Sequence, residues 1–154
     1  MLRMRSCAVR SRRPLKRTRP IALSIGLVVA TIAAGLAIRF APLGLPVIIV
    51  KYGGSMLWAL MIYWIVSTVL PSLRPAAAAL VSGALATAIE FFKLYHAPTL
   101  DAFRLTVPGI LLLGRVFSAW DILAYWLAIG CGAFLDRSMD RSMDRRMRRS
   151  VSTA

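Results

Sequence analysis

The sequence predicts an all-α membrane protein, four transmembrane helices with a short re-entrant or interfacial segment between helices three and four. Three observations predict it. Of 154 residues, 58% are hydrophobic, and the mean hydropathy of +0.69 lies far above that of a soluble chain. Apolar runs at about residues 21–38, 52–70, 76–92 and 119–135 are each long enough to cross, or nearly cross, a hydrocarbon core of about 30 Å at about 1.5 Å per residue. The charge is also segregated. Net charge is +14, yet residues 1–20 and 136–154 hold 14 of the 20 Lys and Arg. A soluble protein this basic is read as a nucleic-acid binder. Here the cations flank apolar runs, which is the pattern of membrane orientation, so nucleic acid is not an expected partner.

Residues 1–20 carry eight Arg and Lys and no acid, and self-repulsion predicts a disordered cytoplasmic tail. Ser11-Arg12-Arg13-Pro14-Leu15-Lys16 is a partial twin-arginine signal. A removable signal has a shorter apolar core than the run that follows, so a retained anchor is expected. The first span, 21–38, ends at Arg39. Residues 40–50 are apolar but short, and Pro42, Gly44 and Pro46 break them. They are expected to lie in the outer interface or to dip into the bilayer.

Lys51-Tyr52 opens the second span. Tyr52 stands at its end as an interface anchor, whereas Trp58, Tyr63 and Trp64 are expected between helices. Gly53, Gly54 and Ser55 let another backbone approach closely. Residues 71–75 form a proline-bounded turn carrying Arg74. The Ala-rich third span, 76–92, suits a helix surrounded by others and carries Glu90 in its last turn. Residues 95–104 read as a polar loop interrupted by Pro98.

Residues 105–117 are apolar, too short to span, and disrupted by Pro108-Gly109. Both tails are arginine-rich, so both are expected in the cytoplasm, which requires an even number of crossings. The fourth span opens with Asp121 in its first turn, where the helix dipole favours an anion. Residues 136–154 repeat the pattern DRSM, DRSM, DRRM. On a helix, Met139, Met143 and Met147 form a slowly drifting stripe, and the arginines meet anionic headgroups at about 1 kcal/mol each. A frayed, solvated extension is the equal alternative. With this topology 15 cations lie on the cytoplasmic side and five on the outer side. Cys7 and Cys131 both fall towards the cytoplasm, where disulfides are rare, and Cys131 reads as a small buried apolar residue.

The stretch from Glu90 to Tyr125 holds six of the nine charged residues between positions 21 and 135, and the only histidine, His96. Its blocks Glu90-Phe91-Phe92-Lys93-Leu94-Tyr95-His96-Ala97-Pro98, Leu100-Asp101-Ala102-Phe103-Arg104, Leu113-Gly114-Arg115-Val116-Phe117-Ser118 and Trp120-Asp121-Ile122-Leu123-Ala124-Tyr125 resemble the DUF2809 family. Lys51-Tyr52, Gly54 and Leu57-Trp58-Ala59 match the same family's second helix. The resemblance covers about residues 23–135 and implies a small bacterial membrane protein of uncharacterised function; with the orientation read from the cations, the expectation is a multi-pass inner-membrane protein with both termini cytoplasmic. The family often has an acid where this chain has Ser55. More distantly, a Glu closing one helix, a loop Arg and an Asp opening the next are similar to the VanZ-like glycopeptide-resistance proteins, in which an Asn commonly stands where Tyr125 stands here.

Glu90 and Lys93 share a helix face, as do Asp121 and Tyr125. The topology brings both carboxylates to one outer edge, where Lys93, Arg104 and Arg115 are available partners. Two uses follow. The pairs clamp the loop, or they form a site for a polar lipid or envelope precursor in which Arg104 and Arg115 hold an anionic group. The expected cluster is Glu90, Lys93, Tyr95, His96, Asp101, Arg104, Arg115, Trp120, Asp121 and Tyr125. A rival reading is a small membrane enzyme using Glu90 and Asp121 for acid–base work on a lipid-linked substrate. No nucleophile motif, phosphate loop or cofactor signature accompanies them, so no catalytic residue or cofactor is assigned. One histidine does not make a transition-metal site, and no metal is expected. Ionisable groups gather at one edge rather than through the bilayer, which disfavours transport.

Overall fold

The structure, a computed structural model, describes residues 20–41, 44–114 and 116–152, with side chains of the last helix described through Met143 and at Arg145. Among the described residues it is all-helical: α1 (Ile21–Phe40), α2 (Val47–Val69), α3 (Pro75–Phe92), α4 (Pro98–Arg104), α5 (Val107–Leu112) and α6 (Ala119–Ser152). Four of these are long and apolar enough to cross a membrane: α1, α2, α3 and the Ala119–Met143 part of α6. They alternate in direction. One end of the bundle therefore gathers the finish of α1 and α3 and the start of α2 and α6. We call it the polar end.

Prolines set several boundaries. Pro46 precedes α2 as its N-cap, and Pro75 opens α3 at a position where a missing N–H costs nothing. Residues 47–50, expected in an interfacial loop, are instead the first turn of α2. The helix starts as soon as the last proline is passed. Residues 98–104, expected as a loop, form α4, because Pro98 initiates a helix rather than interrupting one. The short apolar segment after it does not span. Thr106 caps α5, its hydroxyl accepting from the Gly109 N–H at 3.2 Å. The last helix runs on through the DRSM repeat to Ser152.

The core is a three-helix seam: Ala59, Ile62, Tyr63 and Trp64 of α2, Ala78 and Ala86 of α3, and Tyr125, Ala128 and Ile129 of α6. Small residues let these helices approach. Gly83 of α3 faces the Trp126 ring of α6, and a Cβ there would come within 2.5 Å of it. The indole N–H, donating to Thr87 Oγ1 at 3.2 Å, holds that ring in place. Gly83→Ala is therefore expected to lower stability by about 1–3 kcal/mol through overpacking. Gly130→Ala, whose Cβ meets open space, serves as the control. The check is thermal unfolding in detergent: the first variant melts earlier, the second no earlier than the parent.

α1 packs against α2 and no other helix among the described residues. Cys131, expected to be buried, is exposed on the outer face of α6. Asp136, expected in a solvated tail, is fully buried. The Tyr63 hydroxyl donates to its Oδ2 at 2.7 Å and the Ser67 hydroxyl lies 3.5 Å away. Tyr63 and Ser67 are one turn apart on α2, so their hydroxyls reach α6 together.

Candidate functional site

The polar end is built in two layers. The inner layer centres on Glu90, which the last turn of α3 turns inward so that it is fully buried. A carboxylate in that position requires donors, and three arrive. Lys93, one turn on, brings its Nζ to Oε2 at 2.5 Å. The Tyr125 hydroxyl of α6 donates to Oε2 at 2.7 Å. The backbone N–H of Ser118 donates to Oε1 at 2.8 Å, so a residue of α3 satisfies the chain just where α6 begins. Gly114 makes room for this pair. Its φ is +68°, and a Cβ would press on Lys93 Cε at 2.9 Å.

The outer layer centres on Arg104, which is 3% exposed. Nη1 donates to the Tyr95 carbonyl at 2.9 Å and to Asp101 Oδ1 at 3.1 Å, and Nη2 donates to the Phe92 carbonyl at 2.8 Å. The guanidinium also lies 5.7 Å from the Phe92 ring centroid. It gathers carbonyls at the end of α3 and in the following turn and ties α4 beneath them. His96 Nδ1 lies 3.3 Å from Asp101 Oδ1 on the exposed rim.

Beside the inner layer lies a cavity of about 760 Å³. α1 supplies Thr31, Gly35 and Leu36. α2 supplies Gly54, Leu57 and Met61, and residues 110–114 close the opposite wall. Its charged lining residues are Arg39, Lys51, Lys93 and Asp121, with Tyr125 and Ser55 beside them. Asp121 is 6% exposed and its Oδ1 has no hydrogen-bond partner among the described residues. Ser55, Glu90, Lys93 and Lys51 are its near neighbours.

Of the residues the sequence singles out, the structure brings Glu90, Lys93, Asp121 and Tyr125 together. It places His96, Asp101 and Arg104 in a separate network. Arg104, expected either to clamp the loop by pairing with a carboxylate or to hold an anionic group, is turned inward, paired with Asp101 and taken up by the Phe92 and Tyr95 carbonyls. Tyr95 is exposed with its ring stacked on Phe92 at 6.0 Å, and Trp120 is exposed. Arg115 lies outside the described residues. Sequence reasoning missed Arg39, Lys51 and Ser55 as lining groups. The signal was present in Lys51 and Ser55, four apart and hence on one face of α2. No group of three or more His, Cys, Asp or Glu placed to hold a metal occurs among the described residues.

Residues 44–131 match the model of a family described as a protein of unknown function, DUF2809. The chain belongs to the DUF2809 family. In this DUF2809 protein the matched stretch includes α2 to α5 and the first part of α6, and so both networks around Glu90 and Arg104. α1, which forms one cavity wall, and both arginine-rich tails lie outside it. No solved structure matches the chain.

Proposed function

We propose that this multi-pass DUF2809 protein binds an amphipathic molecule, a polar lipid or cell-envelope precursor. The headgroup is held at the polar end and the apolar part lies along the cavity. The protein sits in a bacterial inner membrane with both arginine-rich tails in the cytoplasm, against anionic lipids, and the polar end towards the periplasm. The 15 cations on the tail side against five at the other support that orientation.

The observation that carries the reading is the cavity itself. Its volume is about 760 Å³, within the range of about 300–1,000 Å³ usual for small-molecule sites. Its walls are mainly apolar and its charges come from Arg39, Lys51, Lys93 and Asp121. The clamp and the site share this end. Glu90 and Arg104 hold the backbone, while Asp121 and Lys51 stand at the cavity. The enzyme alternative gains less support, because Glu90 already accepts from three protein donors and has little left to offer a substrate proton.

Gly54 lines the cavity, and a Cβ there meets nothing within 4 Å. Gly54→Leu is thus expected to intrude into the cavity and obstruct it without unfolding the bundle. Native mass spectrometry from mild detergent should find a retained amphipath on the parent and at least several-fold less on the variant, at equal melting temperature. Equal retention by the two overturns the reading. Turnover of the retained molecule by the parent, lost in Asp121→Asn, favours the enzyme instead.

A further inference from the structure

We propose that the headgroup taken at this cavity is zwitterionic, a phosphate carrying a primary ammonium, and that Asp121 selects the ammonium. This rests on the binding reading above and narrows it.

The charges at the cavity sort into those already committed and those still available. Lys93 is committed to Glu90. Arg39 and Lys51 line the cavity, are exposed, and form no ion pair among the described residues. The Lys51 ammonium lies over the Tyr52 ring at 5.3 Å, an exposed position at which an anion can also reach it. Asp121 is the reverse case. It lines the cavity, is more than nine-tenths buried, and its Oδ1 has no donor among the described residues. A buried carboxylate oxygen without a donor is costly, and the Ser55 hydroxyl lies beside the carboxylate as a neutral donor. Glu90 repels the Asp121 charge while Lys93 and Lys51 offset that repulsion, so what the site lacks is an N–H or O–H for Oδ1.

The arrangement is therefore one buried carboxylate with an unfilled acceptor oxygen, and two exposed cations. A primary ammonium supplies both the charge and the N–H that Oδ1 lacks, while its phosphate meets Lys51 and Arg39. A quaternary ammonium brings charge but no N–H. A glycerol headgroup brings hydroxyl donors but no positive charge. Three common phospholipid headgroups thus differ in the features Asp121 reads.

The test offers the full chain an equimolar mixture of phosphatidylethanolamine, phosphatidylcholine and phosphatidylglycerol with identical acyl chains. Retained lipid is read by native mass spectrometry. The parent is expected to favour phosphatidylethanolamine over phosphatidylcholine by about tenfold or more. Asp121→Asn should cut that ratio to below about threefold, the loss falling on phosphatidylethanolamine rather than on phosphatidylcholine. Lys51→Gln should lower total phospholipid with the ratio intact. Equal retention of the two zwitterionic lipids by the parent overturns the proposal, as does a preference for phosphatidylglycerol or an unchanged ratio in Asp121→Asn. If Asp121→Asn does not accumulate, the parent ratio decides. A parent that holds no more lipid of any kind than Gly54→Leu refutes the binding reading itself, so the two failures are told apart.

Discussion

Glu90→Leu is expected to destabilise the bundle by about 3–5 kcal/mol, the usual cost of stranding one member of a buried ion pair. The loss has three parts: the Lys93 ammonium, the Tyr125 hydroxyl and the Ser118 N–H each lose their acceptor. Lys93 is only 8% exposed, so it cannot simply turn to water. The variant should accumulate poorly and melt well below the parent in detergent. A second substitution makes the test specific. Replacing a buried pair with apolar groups is often close to neutral, so Glu90→Leu with Lys93→Met should recover a large share of the loss, and a double-mutant cycle reads the coupling. If the single variant melts like the parent, or the double variant melts no higher than the single, the buried hub is not what holds this end together.

Arg104→Leu is the second large effect, about 3 kcal/mol from the loss of charge-assisted hydrogen bonds, and it is local. The Phe92 and Tyr95 carbonyls and Asp101 lose a common donor, so α4 should come away from the end of α3 while the α2–α3–α6 seam stays packed. Limited proteolysis should then open new cleavage between residues 95 and 118, several-fold faster than in the parent. Arg104→Lys should recover less than half of the protection, because one ammonium cannot reproduce a two-armed fork. A digestion pattern indistinguishable from the parent's would show that α4 is held by other means.

Most of the architecture was readable from the distribution of apolar runs and cations. Residues 21–38 and 76–92 lie within α1 and α3, because few other structures bury such runs. What escaped was set by local backbone chemistry or by pairing at a distance. Pro46 and Pro98 carry no sign of whether a helix ends or begins at them, and both turned out to begin one. In the site, the Glu90–Lys93 pair was visible because three-residue spacing on a helix is a local rule. That Arg104 faces carbonyls rather than a ligand was not, because backbone acceptors leave no mark in a sequence. Asp136 was hidden by its company. It is followed at once by Arg137 and the charged repeat, yet its acceptors' partners, Tyr63 and Ser67, lie some seventy positions earlier.

The one-sided seat of α1 has a mechanical consequence. Tilting it would open a single seam, against α2, and leave the rest of the protein assembled. The same helix is a wall of the cavity, so on the binding reading proposed above a molecule with a long acyl tail would enter sideways from the bilayer without first leaving it for water. In that arrangement α1 would serve as a door and the other three spans as its frame.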